Sequence, residues 1–180
     1  MIQEHSQRIT RNTLILYFRM IFTMLVSLYT SRVVLNTLGV EDFGIYNVVG
    51  GVVAMLSFIN GSLSAASSRY ITYELAIGTP ESLRKTFSCV MTIHIFIALL
   101  IAILGETVGS WFLLHELKIP ENRLSSAIWV FQCSILSTML SIISVPYNAT
   151  IIAHEKMNVY AYISIMDVIL KLGIVYLLVI

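Results

Sequence analysis

Asp167 and Lys171 stand four residues apart inside an apolar stretch that runs from Met157 to Ile180. On a helix this spacing puts both side chains on one face, where the carboxylate and the ammonium group can neutralise each other. A charged group inside a bilayer costs about 2.5 to 3.5 kcal/mol on insertion scales, so each needs a physical reason. Two interpretations stay open: a structural ion pair, or an ion-coupling site in which Asp167 binds a proton or sodium ion and Lys171 meets an anionic group.

Arg19 is a further charged residue within an apolar run, and it begins a polar stripe. Thr23, Ser27 and Thr30 follow it at intervals of four, four and three residues, which is the spacing of one helical face. The long stem of Arg19 can carry its charge to the headgroups, and a place on the wall of a wet cavity is the alternative.

A second polar stripe follows in the next apolar run, and it consists of Asn47, Gly50, Ala54, Ser57, Gly61, Ser64 and Ser68, with Asn60 beside it. In membrane helices such residues face protein or a water-filled cavity, and helix packing through small residues is the simpler explanation. We predict that six residues line a substrate cavity: Arg19, Thr23, Ser27, Asn47, Ser57 and Asn60. A further stripe, made of Ser134, Ser137, Ser141, Ser144 and Asn148, predicts helix packing.

The gaps between charged residues define the elements that carry these side chains. Uncharged runs extend over 26 residues from Phe43 to Ser68, 20 from Thr86 to Gly105 and 31 from Leu124 to His154. About 20 helical residues cross a hydrocarbon core of about 30 Å. With the two interrupted runs, the sequence predicts an all-α integral membrane protein with about five transmembrane helices in one domain, residues 1–180. The helices are expected near 13–37, 44–75, 82–113, 122–152 and 157–180.

Basic residues near the helix ends predict the orientation. With a cytoplasmic amino terminus, the inner side collects six of them (Arg8, Arg11, Arg69, Arg84, Lys85 and Lys156) and the outer side three (Arg32, Lys118 and Arg123). We therefore predict a multi-pass protein whose amino terminus is cytoplasmic.

Composition argues against several classes of function. Hydrophobic residues make up 57% of the chain and charged residues 12%, against roughly 25% charged in soluble proteins, and the net charge is +1. No basic field is present to hold nucleic acid, so no nucleic-acid partner is expected. Cys89 and Cys133 lack metal-ligand spacing and are predicted as small core residues, and neither metal nor cofactor is expected. Acidic residues occur singly except Glu41-Asp42, so no enzyme is predicted.

Gly105 and Gly109 have the Gly-x-x-x-Gly spacing that permits close contact between membrane helices. Glu106 lies between them, and a carboxylate there would instead indicate that the helix is leaving the bilayer. Both interpretations stay open.

Two segments carry a family resemblance. One is Leu38-Gly39-Val40-Glu41-Asp42-Phe43-Gly44-Ile45-Tyr46-Asn47, leading through the second apolar run to Ser67-Ser68-Arg69-Tyr70-Ile71. The other extends from Pro146-Tyr147-Asn148-Ala149 to His154-Glu155-Lys156-Met157. They resemble bacterial polysaccharide exporters of the Wzx flippase type, which share a superfamily with MATE multidrug exporters and lipid II flippases.

The resemblance implies two six-helix lobes and a cavity between them, through which an oligosaccharide linked to undecaprenyl diphosphate crosses the bacterial inner membrane by alternating access. Arg19 matches a position whose counterpart in the family meets the diphosphate, and Arg69 would act likewise at the cytoplasmic mouth or serve as a simple anchor. The chain then supplies part of one lobe, with expected partners in the bilayer, the lipid-linked oligosaccharide and a second lobe or another membrane chain. Because it stops on Leu177-Leu178-Val179-Ile180 without a polar flank, we expect a fragment.

Two other functions fit the same helices. A MATE-like drug or cation exporter is expected to have an acidic cavity, whereas the Arg19 stripe contains no acid. A small membrane scaffold or assembly subunit would explain the length of the chain and would form a defined oligomer alone.

Overall fold

The computed structural model describes residues 2–56, 59–117 and 119–177, and these are helical almost throughout, with no strand among them. The helices are α1 (Ile2–Leu56), α2 (Ile59–Ile77), α3 (Pro80–Leu104), α4 (Ser110–His115), α5 (Glu121–Ala153) and α6 (Met157–Leu177). A π-helical turn, Gly105–Gly109, joins α3 to α4. The prediction of an all-α protein is confirmed.

Within the described ranges, four helical stretches are long and apolar enough to cross a membrane: Asn12–Met55, Pro80–His115, Glu121–Ala153 and Met157–Leu177. They indicate a multi-pass membrane protein. The count differs from the five spans predicted, because α1 continues as helix beyond the expected loop. The backbone breaks only at Gly39 (φ 78°, ψ 170°), a conformation that glycine adopts without a steric cost. The 19-residue helix α2, which carries Arg69 and Glu74, is not among the four.

The predicted boundaries correspond to these helices with shifts at the ends. The first predicted helix starts at residue 13, whereas α1 already begins at Ile2. The second corresponds to the later part of α1 and to α2, the third to α3 with the π-turn and α4, and the fourth and fifth to α5 and α6. Residues 178–180 of the fifth lie outside the described residues.

Residues 44–153 form one compact unit, called the bundle here. Its larger core places Val49 and Val53 of α1 with Ala127, Phe131 and Ile135 of α5. A second core joins Ala98 and Ile101 of α3 to Ile142 of α5. Close packing of these apolar side chains is what gives the bundle a defined interior.

The two glycines of the π-turn pack against α5. A Cβ atom on Gly109 would lie 2.7 Å from Cζ of Phe131, and one on Gly105 would lie 2.9 Å from Cδ1 of Ile135. At that separation a methyl group would force the Phe131 ring or the Ile135 side chain to shift, so the Gly-x-x-x-Gly spacing marks a close helix contact. Glu106, between them, is exposed and accepts a hydrogen bond from Nε2 of Gln132 at 3.0 Å.

Residues 2–43 with 154–177 form the second unit, called the helix pair here. Among its side chains that the structure describes, only that of Ala161 is buried. Phe18 is 66% exposed and Tyr162 74% exposed. In a membrane protein such faces are covered by lipid or by other helices. That residues 1–180 form one domain stays a prediction.

Candidate functional site: a groove in the helix pair

Arg19 is held against α6 by two side chains. Its Nη1 donates a hydrogen bond to Oγ of Ser164 at 3.1 Å. Its Cζ lies 4.7 Å from the centre of the Tyr160 ring, close enough for a cation–π interaction. Ser164 in turn donates to the backbone carbonyl of Tyr160 at 2.9 Å, which orients its hydroxyl oxygen toward the guanidinium. Arg19 therefore has a defined position on α6.

The positive charge of Arg19 is not neutralised by a carboxylate within the described residues. Its Nε atom is buried and makes no hydrogen bond there either. A guanidinium group has five N–H donors, so Arg19 retains donors for an additional acceptor. An anion is the acceptor that also balances the charge.

A groove of about 430 Å³ lies between α1 and α6; its lining on α1 begins at Met20, the residue after Arg19, and Arg19 itself is not part of that lining. Three hydroxyl-bearing residues of the predicted stripe, Thr23, Ser27 and Thr30, line it, together with Met20 and Met24. Val168 and Lys171 form the α6 side. Oγ1 of Thr23 donates to the Met20 carbonyl at 3.0 Å. The predicted stripe on α1 thus faces a groove and not a packed interface.

The contacts show that α1 and α6 run in the same direction. Arg19 meets Ser164, and ten residues later the hydroxyl of Tyr29 lies 2.7 Å from that of Tyr176. Long side chains bridge the two helices at both points, and the groove lies along α1 and α6 between them.

Asp167 and Lys171 form the ion pair that their spacing predicts, with 2.8 Å between Oδ2 and Nζ. The Lys171 side chain is 67% exposed and that of Asp167 56%. Lys171 lines the groove together with Thr23, Ser27 and Thr30, the residues that follow Arg19 in its stripe. Whether the pair couples ions stays a prediction.

The other predicted cavity residues lie in the bundle or outside the described part of the chain. Asn47 and Arg69 are exposed. Oδ1 of Asn60 is buried and has no hydrogen-bond partner among the described residues. Ser57 lies outside the described residues. Of the predicted site, the groove thus brings together Thr23, Ser27 and Lys171, with Arg19 beside them.

Sequence reasoning missed the residues that position Arg19. Tyr160 and Ser164 form, with Asp167 and Lys171, a polar stripe on α6, and Arg19 heads a matching stripe on α1. The signal in the sequence that could have found Tyr160 and Ser164 is that the two polar stripes can face each other and pair. The prediction that both cysteines are core residues is wrong, because Cys89 and Cys133 are exposed. No group of three metal-ligating side chains occurs among the residues searched in the described ranges.

Family models, curated proteins and solved structures show no match to this chain. The resemblance to polysaccharide exporters therefore stays a prediction.

Proposed function

We propose that the chain forms part of a polysaccharide exporter of the Wzx flippase type in a bacterial inner membrane. In this proposal the groove of the helix pair receives the diphosphate of an undecaprenyl-linked oligosaccharide, and a second lobe or another membrane chain completes the transport path. The observation that carries the proposal is the Arg19 guanidinium, fixed on α6 by Ser164 and Tyr160 without a carboxylate partner among the described residues.

The surroundings of Arg19 favour a phosphate-bearing ligand over a cation. A guanidinium group binds phosphate oxygens with two parallel hydrogen bonds, and the interaction strengthens where water is scarce. The Ser27 hydroxyl supplies an additional donor along the groove, whereas that of Thr23 already donates to the Met20 carbonyl. The nearby acid, Asp167, is paired with Lys171 and does not itself line the groove. A drug-cation exporter would need an acidic lining, so this function is the weaker candidate.

The parallel course of α1 and α6 supports five membrane crossings in place of four. Two parallel spans must be separated by an odd number of crossings. The stretches Pro80–His115 and Glu121–Ala153 account for two. A third crossing then lies between Gly39 and residue 79, where the later part of α1 and α2 provide the helix. With the excess of basic residues on one side, this topology has the amino terminus in the cytoplasm.

Thiol labelling in lipid nanodiscs tests the anion site. The full chain, with Cys89→Ser and Cys133→Ser, carries Thr23→Cys or Ser27→Cys, and a charged methanethiosulfonate reagent reports access from water. Leu25→Cys and Leu28→Cys are the controls, because these residues are 61% and 60% exposed and do not line the groove. We expect rapid labelling at positions 23 and 27 and slow labelling at 25 and 28, which lie in lipid.

Added undecaprenyl diphosphate should then slow labelling at position 23, whereas an uncharged polyprenol of the same length should not. Arg19→Gln should weaken this protection about tenfold, since one charge-assisted hydrogen bond is lost. Arg19→Lys should recover part of it, because lysine keeps the charge without the planar fork. Equal protection by both lipids, or a groove closed to the reagent, would refute the proposal and leave a packing subunit.

A further inference from the structure

A second groove, of about 540 Å³, lies within the bundle between the later part of α1 and α5. We call it the aromatic groove. Tyr46 and Ala54 line it from α1, and Trp129, Cys133, Ser137 and Thr138 line it from α5. Its volume falls within the range of roughly 300 to 1,000 Å³ that is usual for small-molecule sites.

Thr138 leaves a hydrogen-bonding group open in this groove. The residue is only 8% exposed, yet its hydroxyl makes no hydrogen bond within the described residues. Ser134, one turn away, shows the usual arrangement, because its Oγ donates to the Val130 carbonyl at 2.7 Å. The Thr138 oxygen is not among the fully buried unpaired polar atoms of the described residues, so it faces the groove and is open to a ligand with hydrogen-bonding groups of its own.

Two aromatic rings line the same groove. Tyr46 is 49% exposed and Trp129 71% exposed, so both rings have free surface. Trp129 follows the start of α5 by eight residues, about 12 Å of helix, whereas Thr138 lies about 26 Å along it. Open aromatic surface therefore lies nearer one end of the groove and the unpaired hydroxyl nearer the other.

We propose that the aromatic groove binds the sugar rings of a neutral oligosaccharide, an assignment that rests on the proposed function for the origin of the glycan. One pyranose of the oligosaccharide packs its apolar C–H face on Tyr46 or Trp129, and the hydroxyls of another ring, farther along the groove, pair with Thr138 and Ser137. Both kinds of group are needed to orient one ligand in a concave site.

A membrane helix from another chain is the competing occupant, because Gly50 and Ala54 form a small-residue face on α1. An apolar helix, however, would leave the Thr138 hydroxyl unpaired in a dry interface, at a free-energy cost. An oligosaccharide satisfies that hydroxyl, so the observations favour the sugar.

The two native cysteines allow a direct test. Cys133 lines the aromatic groove and Cys89 does not, and both are exposed. The full chain in nanodiscs is labelled with a water-soluble maleimide in the presence of maltotriose, tri-N-acetylchitotriose or a rhamnose trisaccharide. We expect at least one trisaccharide to protect Cys133 and none to protect Cys89, while sorbitol at equal osmolarity protects neither because it has no ring face.

Trp129→Leu should raise the half-protecting concentration of that trisaccharide about three- to tenfold, and the matched Trp111→Leu, outside the groove, should not. Thr138→Val, which keeps the shape of the side chain, should also weaken protection. The inference would be overturned if none of the three sugars protected Cys133. It would also be overturned if Cys133 were protected without sugar and formed cross-links between copies of the chain, because that result would identify a docked helix. Repeating the assay with Arg19→Gln separates the two proposals, since sugar protection should survive the loss of the diphosphate site.

Discussion

The bundle and the helix pair use polar and small residues at the same helical spacing with opposite results. Where α3 and its π-turn meet α5 in the bundle, Gly105 and Gly109 lie against Ile135 and Phe131, and the space between these helices is filled, unlike the space between α1 and α5. In the helix pair, Arg19 and Tyr29 bridge α1 to α6 with long side chains, and a groove remains. Spacing alone thus selects the face of a helix, whereas the size and charge of its side chains decide whether that face closes or stays open.

Truncation of a buried side chain should distinguish the two units most strongly. Ile142 is fully buried in the bundle, whereas Ile169 of α6 is 53% exposed. Ile142→Ala should lower the free energy of unfolding by about 3 kcal/mol, because the cavity left in a packed core is not refilled. Ile169→Ala should cost less than about 0.5 kcal/mol. Unfolding in mixed micelles of increasing denaturing detergent measures both, and equal losses would mean that the helix pair is as closely packed as the bundle.

Adding one methyl group should have opposite signs in the two units. At Gly109 the new Cβ would meet the buried Phe131 ring, so Gly109→Ala should destabilise by about 1 to 2 kcal/mol. Gly173 in α6 has no heavy atom within 4 Å of that position, and Gly173→Ala should stabilise by up to about 1 kcal/mol through helix propensity. Thermal unfolding of the two variants is the measurement. Stabilisation at both positions would show that the π-turn does not pack on α5.

Removing one hydroxyl tests how firmly Arg19 is held. Ser164→Ala deletes the oxygen that accepts from Arg19 and should cost about 1 kcal/mol. The matched change in the bundle, Ser144→Ala, removes only a bond to the carbonyl of Ser141 on its own helix and should be neutral within about 0.5 kcal/mol. Detergent unfolding compares them. If Ser164→Ala is also neutral, Tyr160 alone positions the guanidinium.

The smallest effect is expected at the Asp167–Lys171 pair, and it tests whether the groove is wet. Asp167→Asn should change stability by less than about 0.5 kcal/mol, as should Glu81→Gln in the exposed Lys85–Glu81 pair. This equality holds only if Lys171 can be solvated in the groove. A loss of about 2.5 kcal/mol or more for Asp167→Asn alone would place the ammonium group in lipid and contradict a wet groove. The same stability assay provides the answer.

The residues themselves determined the helical, membrane-spanning character of the chain, because long uncharged runs have few other stable structures in a bilayer. They also determined which residues share a face: the stripe from Arg19 to Thr30 and the Asp167–Lys171 pair follow from helical periodicity alone. Gly39 was predicted to lie in a loop, but helix continues on both sides of its backbone break. A single glycine can end a helix or merely interrupt it, and local sequence does not separate these outcomes.

Only the tertiary structure decided which faces meet. The contact of Arg19 with Tyr160 and Ser164 joins residues more than 140 positions apart, and no periodicity within either helix selects that partner. The exposure of Cys133 and the unpaired hydroxyl of Thr138 likewise depend on how α5 stands against the later part of α1. Apolar and small residues are compatible with lipid, protein or a cavity, so the choice among these surroundings belongs to the packed arrangement of the helices.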